Sequence, residues 1–257
     1  MDIHPSALVG SHAELASGVK IGPYSVIGDH VKIGRDTIIG SNVVIEGHVE
    51  IGERNSISSF VSIGAPPQDI GYKGEETRVT IGDDNIIREY TTINRATTKQ
   101  DRVTIVGDRN YLMAYSHVAH DCVLGNNIIM ANVATLGGHT EVGDYANLGG
   151  LSASHQFVRI GAYAFISGMT GMPLDIPPFM LASGARAKLY GLNLNGLKRH
   201  GFSKEVISGL KKAYMIIWRE SKIFKEGIER VRKEIEPFPE LDMLLNFLSD
   251  SKRGITH

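Results

Sequence analysis

Four of the ten histidines in this 257-residue chain lie close together in the sequence, at His117, His120, His139 and His155. Imidazole has an unperturbed pKa of about 6.5, so it takes up and releases a proton at neutral pH more readily than any other side chain. His120 is followed directly by Asp121, whose carboxylate can orient an imidazole that acts as a base. Neutral imidazole is also a common zinc ligand, so a three-histidine zinc site is a second interpretation of these residues.

A regular spacing of eighteen positions connects these histidines with other polar side chains. His120, Gly138 and Gln156 follow one another at this spacing, and Asp121 precedes His139 by the same interval. If the chain makes one coil in every such interval, positions at this spacing stack in one column. Coils at strand spacing are about 4.8 Å apart, so three of them bring the whole group within roughly 10 Å. The pattern predicts one polar site built from consecutive coils.

The hydrophobic pattern indicates such a coil. Ile, Val or Leu occupies every sixth position from 3 to 63, and the pattern resumes from 81 to 93 and from 106 to 172 with few exceptions. A period of six fits neither a helix nor an ordinary strand, and three sides of six positions each close a triangular coil. We call these inward-facing residues the ladder positions.

Small residues complete the repeat. Glycine directly follows many ladder residues, as in Ile21-Gly22, and is expected to let the chain turn without a Cβ clash. Small residues two positions before a ladder residue, such as Ser25, Cys122 and Ala134, are expected to fill the narrow interior. Cys122 is therefore interpreted as interior filler rather than as a nucleophile.

Two interruptions break the repeat. Residues 65–78 lack ladder residues, but the step from 63 to 81 equals the length of one full coil, so they are expected to form a loop that leaves one coil and returns in frame. The step from 93 to 106 exceeds two repeats by a single position, and it predicts a smaller bulge at about 96–102. A long loop on a regular scaffold is either a tolerated insertion or a wall of a functional site.

A helical pattern follows the end of the repeat near Met172. Ser203 is the predicted N-cap of one helix, a second is expected at roughly 222–235, and a leucine-rich third follows. The sequence therefore predicts a mainly β protein, with a parallel β-helix of hexapeptide repeats over residues 1–190 and a C-terminal α-helical domain over 191–257.

Charge and composition limit the classes of function. Residues 198–233 carry 11 Lys and Arg residues against 4 Asp and Glu, which indicates either a solvated helix surface or a docking face for an acidic partner. The whole chain has a formal net charge of −1, which gives no general affinity for nucleic acid. It has no apolar stretch of membrane-spanning length and no expected signal peptide. Its single cysteine excludes an internal disulfide and fits a reducing cytoplasm.

Four motifs considered together indicate a known family. They are Ser-His-Val-Ala-His-Asp-Cys at 116–122, Gly-Gly-His at 137–139, Ser-His-Gln-Phe at 154–157 and Gly-Leu-Lys-Arg at 196–199. With these motifs, the chain resembles the acyl-carrier-protein:UDP-N-acetylglucosamine O-acyltransferases of lipid A biosynthesis, and the resemblance extends over its whole length. It implies a left-handed parallel β-helix that works as a cytoplasmic homotrimer, with active sites between neighbouring subunits.

The resemblance also implies a reaction and its residues. A (R)-3-hydroxyacyl group would pass from acyl carrier protein to the 3-hydroxyl of UDP-N-acetylglucosamine, with His120 as general base, Asp121 holding it, and the backbone N–H of Gly138 stabilising the oxyanion. The residues implied to bind the substrates are Asp69, Lys73, His117, His139, His155, Gln156, Gly168, Asn193 and Arg199. No metal or other cofactor is implied, because 4′-phosphopantetheine arrives on the carrier protein, which the basic helices would dock.

Gly168 points to a site shared between subunits. Its ladder position, 166, lies on a different side of the coil from 118, 136 and 154, so Gly168 cannot line the cleft beside His120 within one chain, whereas a neighbour could bring it there. In the family this position helps to set acyl length. Glycine leaves the groove open, which predicts a long hydroxyacyl chain.

Four positions depart from the family pattern. Gly71 and Asn94 stand where Lys and His are frequent, and Asn195 and His200 where Glu and a second Arg are frequent. Lys73 is a nearby substitute for the missing lysine. Because these positions can touch the sugar nucleotide, its 3-amino analogue is an alternative acceptor, which would give an amide. A coenzyme-A-dependent hexapeptide acetyltransferase, which has no need of the basic helices, is a further alternative.

Overall fold

Three sheets of short strands form a triangular prism in the computed structural model, which describes residues 1–257. The first sheet contains β1 (Asp2–Ile3), β4 (Lys20–Ile21), β7 (Ile38–Ile39), β10 (Ser56–Ile57), β13 (Ile86–Ile87), β16 (Tyr111–Leu112), β19 (Ile129–Met130), β22 (Asn147–Leu148), β25 (Phe165–Ile166), β27 (Met180–Ser183) and β28 (Lys188–Leu192). The second contains β2 (Leu8–Val9), β5 (Val26–Ile27), β8 (Val44–Ile45), β11 (Ser62–Ala65), β14 (Thr92–Asn94), β17 (His117–Val118), β20 (Thr135–Leu136), β23 (Ala153–Ser154) and β26 (Gly171–Met172). The third contains β3 (Glu14–Leu15), β6 (Val31–Ile33), β9 (His48–Ile51), β12 (Arg78–Ile81), β15 (Val103–Val106), β18 (Val123–Leu124), β21 (Glu141–Val142) and β24 (Arg159–Ile160).

Consecutive strands of the prism lie in different sheets, so the chain passes through all three sheets in each coil. Strands one coil apart pair in parallel, as β1 does with β4 through Asp2 opposite Lys20 and Ile3 opposite Ile21. Ladder residues such as Ile39 and Ile57 are buried in the interior, where each coil covers the apolar side chains of the next. This is the left-handed parallel β-helix that the repeat and the resemblance together predict.

The turns between sheets rely on a different residue from the expected one. Tyr24, Asn42 and Phe60, each three positions after a ladder residue, have φ values of 60°, 56° and 63°, and most other turns repeat this conformation. The glycine directly after a ladder residue is usually not in this conformation. Instead, a Cβ on Gly34 would lie 2.5 Å from the carbonyl of Gly52 in the next coil. The predicted Cβ clash is present, but it is a clash with the neighbouring coil, so these glycines allow close approach of coils rather than the turn itself.

Both interruptions leave the prism at one corner, where the chain passes from the second sheet to the third. The loop (residues 65–78) lies between β11 and β12, and the bulge (residues 96–102) lies between β14 and β15. Ile81 pairs with Ile51 on one side and with Val106 on the other, and both separations along the chain are longer than one regular coil. Residues 63–81 therefore form one side of a coil that carries an insertion. They are as long as one complete regular coil, but they are not a complete coil. Because these coils are consecutive, the loop and the bulge are neighbours.

A column of buried asparagines holds the register across the two insertions. Asn55 Oδ1 accepts hydrogen bonds from the backbone N–H and the side-chain amide of Asn85, at 2.9 and 3.0 Å. Asn85 Oδ1 accepts one from the N–H of Asn110 at 2.8 Å, and Asn110 Oδ1 accepts one from the N–H of Ile128 at 2.8 Å. A slip of register would leave buried polar groups without partners, at a cost of about 1–3 kcal/mol each.

Beyond the prism the chain forms a hairpin and four helices. β27 pairs in parallel with β25 and antiparallel with β28. The helices are α1 (Leu194–Arg199), α2 (Lys204–Met215), α3 (Phe224–Glu234) and α4 (Pro239–Ser249), with a π-helical turn at Ile216–Glu220. Ser203 caps α2 as predicted, because its side chain accepts a hydrogen bond from the N–H of Val206 at 3.2 Å. The sequence did not predict α1 or the hairpin. None of the helices has the length and hydropathy needed to cross a bilayer.

The close approach of coils predicts different costs for two similar substitutions. Gly34→Ala places a Cβ 2.5 Å from a main-chain carbonyl, so we expect the free energy of unfolding to fall by about 1–3 kcal/mol. Gly28→Ala is the matched control, because its Cβ would meet its nearest neighbour, the carbonyl of Ile45, at 3.4 Å, and we expect a change within about 0.5 kcal/mol. Urea denaturation followed by circular dichroism measures both. Equal losses would contradict the role given to these glycines.

Candidate active site

The corner between the second and third sheets carries the predicted chemistry. His120 and Asp121 lie in the turn between β17 and β18, and Gly138 and His139 lie one coil later, between β20 and β21. The backbone N–H of His139 donates to the carbonyl of His120 at 3.0 Å and fixes one turn above the other. The regular spacing of the coils therefore places these residues side by side.

His120 and Asp121 form a buried, hydrogen-bonded pair. His120 Nδ1–H donates to Asp121 Oδ2 at 2.8 Å, and both side chains are almost fully buried. The same oxygen accepts hydrogen bonds from the backbone N–H and the hydroxyl of Thr97, at 3.0 and 2.8 Å. The N–H of Asp121 donates to Thr104 Oγ1 at 2.9 Å. This network assigns the proton of the neutral ring to Nδ1, which leaves Nε2 of His120 as the proton acceptor.

Gly138 lies against the ring of His120, and its backbone N–H is unpaired. A Cβ on Gly138 would lie 2.6 Å from His120 Nε2, so any larger residue would displace the ring. The neighbouring N–H groups are engaged, since Gly137 donates to Ser154 Oγ at 3.0 Å and His139 donates to the carbonyl of His120. The N–H of Gly138 donates to no group of the chain. An unpaired N–H beside a base is a suitable donor for a developing oxyanion.

Burial and hydrogen bonding set the charges of the groups around His120. Burial raises the pKa of Asp121, but hydrogen bonds from His120 and Thr97 outweigh it, so the pKa is lowered and the carboxylate is ionised at neutral pH. Burial lowers the pKa values of His117 and His139, although the carboxylate of Asp121 offsets part of this effect for His139. A lowered pKa extends the neutral form to more acidic pH, so both imidazoles are uncharged at pH 7.

His139 is held between the dyad and an open groove. Its Nδ1–H donates to Gln100 Oε1 at 2.6 Å, and its Nε2 lies 3.7 Å from Asp121 Oδ2. Its ring stacks on Phe157, with centroids 4.3 Å apart. Beyond it, a groove of about 820 Å³ is lined by Gln100, His139 and Phe157 on one side and by residues 249–253 on the other. The buried dyad is therefore next to a cleft large enough for a substrate.

The same residues satisfy the spacing of a metal site. The possible ligand atoms of His120, Asp121 and His139 lie within 4.8 Å of one another, and Asp121 Oδ1 has no hydrogen-bond partner. A three-histidine site needs a third imidazole, but His155 is exposed and His117 Nδ1 lies 2.7 Å from a hydroxyl instead. Asp121 Oδ2 already accepts three hydrogen bonds. This donor pattern is typical of a carboxylate that orients a base.

The loop contributes a second carboxylate. Asp69 Oδ2 accepts a hydrogen bond from Lys99 Nζ at 2.5 Å, and its Oδ1 accepts one from the N–H of Gly71 at 2.7 Å. These two hydrogen bonds lower the pKa of Asp69, so the loop carboxylate is ionised at neutral pH. Lys73 does not join them, because its exposed side chain makes no hydrogen bond or ion pair.

Comparisons with known proteins agree with these features. Residues 30–65 match the family model of bacterial transferase hexapeptide repeats, and residues 175–256 match the second domain of UDP-N-acetylglucosamine O-acyltransferase. An acyl-[acyl-carrier-protein]–UDP-N-acetylglucosamine O-acyltransferase of Thermodesulfovibrio yellowstonii is 56% identical over 99% of this chain and 98% of its own length, and one of Syntrophobacter fumaroxidans is 54% identical over 99% of both. The structure of LpxA from Acinetobacter baumannii matches with a TM-score of 0.97 at 40% identity over 99% of both chains.

The chain belongs to the acyl-[acyl-carrier-protein]–UDP-N-acetylglucosamine O-acyltransferase family. The family resemblance inferred from the four motifs is thereby confirmed, and so is the fold class.

Three further residues that the resemblance assigns to an acyltransferase site lie near the dyad. His117 is in β17, where its Nδ1 lies 2.7 Å from Thr92 Oγ1. His155 and Gln156 are exposed in the turn between β23 and β24, one coil beyond Gly138. Their contacts with substrate stay predictions.

Gly168, Asn193 and Arg199 do not join this cluster within one chain. Gly168 is exposed after β25, at the corner between the first and second sheets, in agreement with its predicted side of the coil. Asn193 caps α1, because its Oδ1 accepts a hydrogen bond from the N–H of Gly196 and its Nδ2 donates to the carbonyl of Tyr163, both at 3.0 Å. Arg199 is exposed in the last turn of α1 and makes no ion pair.

Two departures from the acyltransferase pattern have structural roles. Asn94 Nδ2 donates to the carbonyls of Ala65 and Pro66, at 3.3 and 2.9 Å, and so fastens the start of the loop. Its Oδ1 is buried without a partner. His200 packs edge-on against Tyr145, with ring centroids 4.9 Å apart.

Three residues of the bulge that were not predicted, Thr97, Lys99 and Gln100, each contact a predicted site residue. The one signal was the extra residue in the repeat, which located the bulge. It did not reveal their contacts, because no periodicity specifies the conformation of an irregular segment.

Cys122 offers a test of the packed interior beside the dyad. Its thiol is buried and donates to the carbonyl of Gly137 at 3.3 Å, and burial raises its pKa to about 12. We therefore expect no reaction with an aromatic disulfide reagent at pH 8 in the native protein, and one equivalent per chain after denaturation in guanidinium. Absorbance of the released thiolate measures both. Rapid reaction of the native protein would contradict the assignment of Cys122 as interior filler.

Proposed function

We propose that this chain transfers a (R)-3-hydroxyacyl group from acyl carrier protein to the 3-hydroxyl of UDP-N-acetylglucosamine, the first step of lipid A biosynthesis, in the cytoplasm. The observation that carries the proposal is that buried His120, oriented by Asp121, lies beside the unpaired N–H of Gly138. A base next to an oxyanion donor is the combination that acyl transfer to a hydroxyl requires. Full-length relatives named for this activity support the same conclusion.

The steps follow from the geometry of the dyad. His120 Nε2 takes the proton of the sugar 3-hydroxyl while its oxygen attacks the thioester carbonyl. Asp121, ionised at neutral pH, stabilises the imidazolium, and the N–H of Gly138 donates to the thioester oxygen as it becomes negative. Collapse of the tetrahedral intermediate breaks the C–S bond, and His120 returns the proton to the departing phosphopantetheine thiolate. The reaction therefore needs only the two substrates and the groups of His120, Asp121 and Gly138.

The polar residues around the dyad are assigned to the substrates. The acceptor and the acyl chain are assigned to Asp69, Lys73, His117, His139, His155 and Gln156, and the nucleotide end to Asn193 and Arg199. A guanidinium suits the diphosphate because it donates several hydrogen bonds in one plane.

The acidic carrier protein is assigned to the basic surface of α2 and α3. Lys204 and Lys211 of α2, Lys225 of α3 and Lys222 just before α3 are exposed, and none of them forms a salt bridge. Uncompensated positive charge steers an acidic partner to the surface that carries it.

An exposed apolar ridge supports a homotrimer. At the corner between the first and second sheets, successive coils expose an apolar turn residue, namely Phe60, Tyr90, Tyr115, Val133, Leu151 and Met169. The three rings stack, with centroids 5.1 and 4.7 Å apart. Contiguous apolar surface of this kind marks a protein interface. Gly168 directly precedes Met169, so a neighbour that covers the ridge also meets Gly168, and an acyl groove left open by glycine accepts a long chain.

The base assignment predicts loss of transfer in two variants. For His120→Ala we expect kcat to fall by about 10²–10⁴-fold, because proton removal then depends on water. Asp121→Asn removes the charge that stabilises the imidazolium, so we expect a fall of about 10²-fold or more with the KM values of both substrates little changed. Mass spectrometry of the product formed from C12–C16 hydroxyacyl carrier proteins measures both. His12→Ala, an exposed histidine outside the site, should behave as wild type.

The same assay separates the alternatives. Preference for the 3-amino analogue would replace the ester product by an amide, and acetyl-CoA as the better donor would contradict the use of carrier protein. Activity abolished by a chelator and restored by Zn²⁺ would overturn the metal-free assignment of the dyad. No transfer from any donor to either acceptor would overturn the proposed function.

The ridge predicts that subunit association is needed for activity. Leu151→Arg places a charge in the apolar contact, so we expect a monomer in sedimentation velocity and a loss of transfer. Arginine fits the backbone there, since Arg54 and Arg109 occupy the equivalent turn position with φ of 54°. Ile223→Arg, an exposed apolar residue of the helical part, is the control and should remain a trimer. A monomeric wild type with full activity would contradict this assignment.

A further inference from the structure

One short segment, the bulge, contacts three separate parts of the site. Thr97 donates two hydrogen bonds to the carboxylate of the dyad, and Gln100 accepts one from His139. Between them, Lys99 Nζ donates to Asp69 Oδ2 at 2.5 Å. Lys99 is therefore held between two anchored neighbours while it reaches across to the loop.

We propose that Lys99 is a positioning residue for the acceptor, because it holds the carboxylate of Asp69 in the orientation that binds the sugar of the nucleotide-sugar substrate. The proposal deepens the proposed function and rests on it, since Asp69 is assigned there to the acceptor.

The hydrogen bonds of Asp69 leave it able to bind a sugar. Its Oδ1 accepts one bond from the N–H of Gly71 and its Oδ2 accepts one from Lys99. Each oxygen of a carboxylate has two lone pairs, so one on each oxygen is left for a sugar hydroxyl. Gly71 belongs to the same loop as Asp69 and moves with it, whereas Lys99 belongs to the bulge. Lys99 is therefore the contact that fixes the loop carboxylate relative to the dyad.

The exposure of the pair argues against a mainly structural role. The side chain of Lys99 is 57% exposed and that of Asp69 is 14% exposed. Ion pairs with such an exposed partner contribute little to stability. The stacked coils and the hydrogen bonds of Asn94 already hold the base of the loop. The pair is thus expected to affect the binding of substrate more than folding.

The charge of Lys99 also suits the location. Asp69 and Asp121 are two carboxylates close to His120, and the acceptor brings a diphosphate. The ammonium of Lys99 offsets part of this negative charge, and it also acts on His139, whose pKa it helps to lower. Without Lys99, the charge of the loop carboxylate would be uncompensated and only the N–H of Gly71, in the same loop, would hold it.

The first experiment compares acceptor and donor constants in variants of the full chain. For Lys99→Met we expect the KM for UDP-N-acetylglucosamine, and its Kd by calorimetry, to rise about tenfold, with kcat, donor KM and melting temperature nearly unchanged. Lys99→Arg should recover most of the affinity. Arg102→Gln is the matched control, because it removes the same charge from the same bulge and its side chain makes no hydrogen bond or ion pair.

A double-mutant cycle then tests whether Lys99 acts through Asp69. If it does, Lys99→Met adds no further loss of acceptor affinity in an Asp69→Asn background. An equal loss in both backgrounds would overturn the proposal in favour of direct contact with substrate, and an unchanged acceptor KM in Lys99→Met would overturn it outright. Both outcomes leave the acyltransferase assignment intact. If the wild type neither binds nor acylates the nucleotide sugar, the proposed function fails and this proposal fails with it.

Discussion

The structure depends on the hydrogen bonds that join each coil to the next at one regular interval along the chain. They set a constant separation between coils, and the site uses that separation directly. His120 and Gly138 belong to successive coils, and the bond from the N–H of His139 to the carbonyl of His120 lies between them. Because the main chain fixes the backbone N–H of Gly138 relative to the turn that carries His120, the oxyanion donor does not have to be reorganised when substrate binds.

The same corner also stabilises a buried charge, the carboxylate of Asp121. An ionised carboxylate in a buried position is costly unless hydrogen bonds compensate for lost water. Asp121 has three such bonds, of which two come from Thr97 in the preceding coil. Burial keeps His117 and His139 neutral, so the transient charge on His120 meets one carboxylate and no competing imidazolium. The regular scaffold supplies the positions, and an irregular segment supplies the donors that make the charge tolerable.

The periodic parts of the fold and site could be predicted from the sequence, because packing imposes the period. The ladder residues and the regular spacing predicted the prism, and they placed His120, Asp121 and Gly138 together, because an inward-facing residue at each side of the coil has no alternative position. The irregular parts could not be predicted, because their side chains can make several alternative contacts. The bulge was located but the contact of Lys99 with Asp69 was not foreseen, and the hairpin and α1 have no periodic signal. Site residues that come from a neighbouring subunit could not be located, because they are not contacts within one chain.

The location of the two insertions has a consequence for how such enzymes diverge. The loop and the bulge both lengthen the chain at one corner, yet the asparagine column keeps the strands on either side in register. Lengthening or shortening these segments therefore changes the substrate-facing wall without disturbing the aliphatic interior. Variation in the loop can therefore change substrate preference at little cost to folding, provided that Thr97 of the bulge keeps its hydrogen bonds to Asp121. For protein engineering, the loop is the place to graft a new recognition segment, because the bulge carries Thr97, which donates to Asp121.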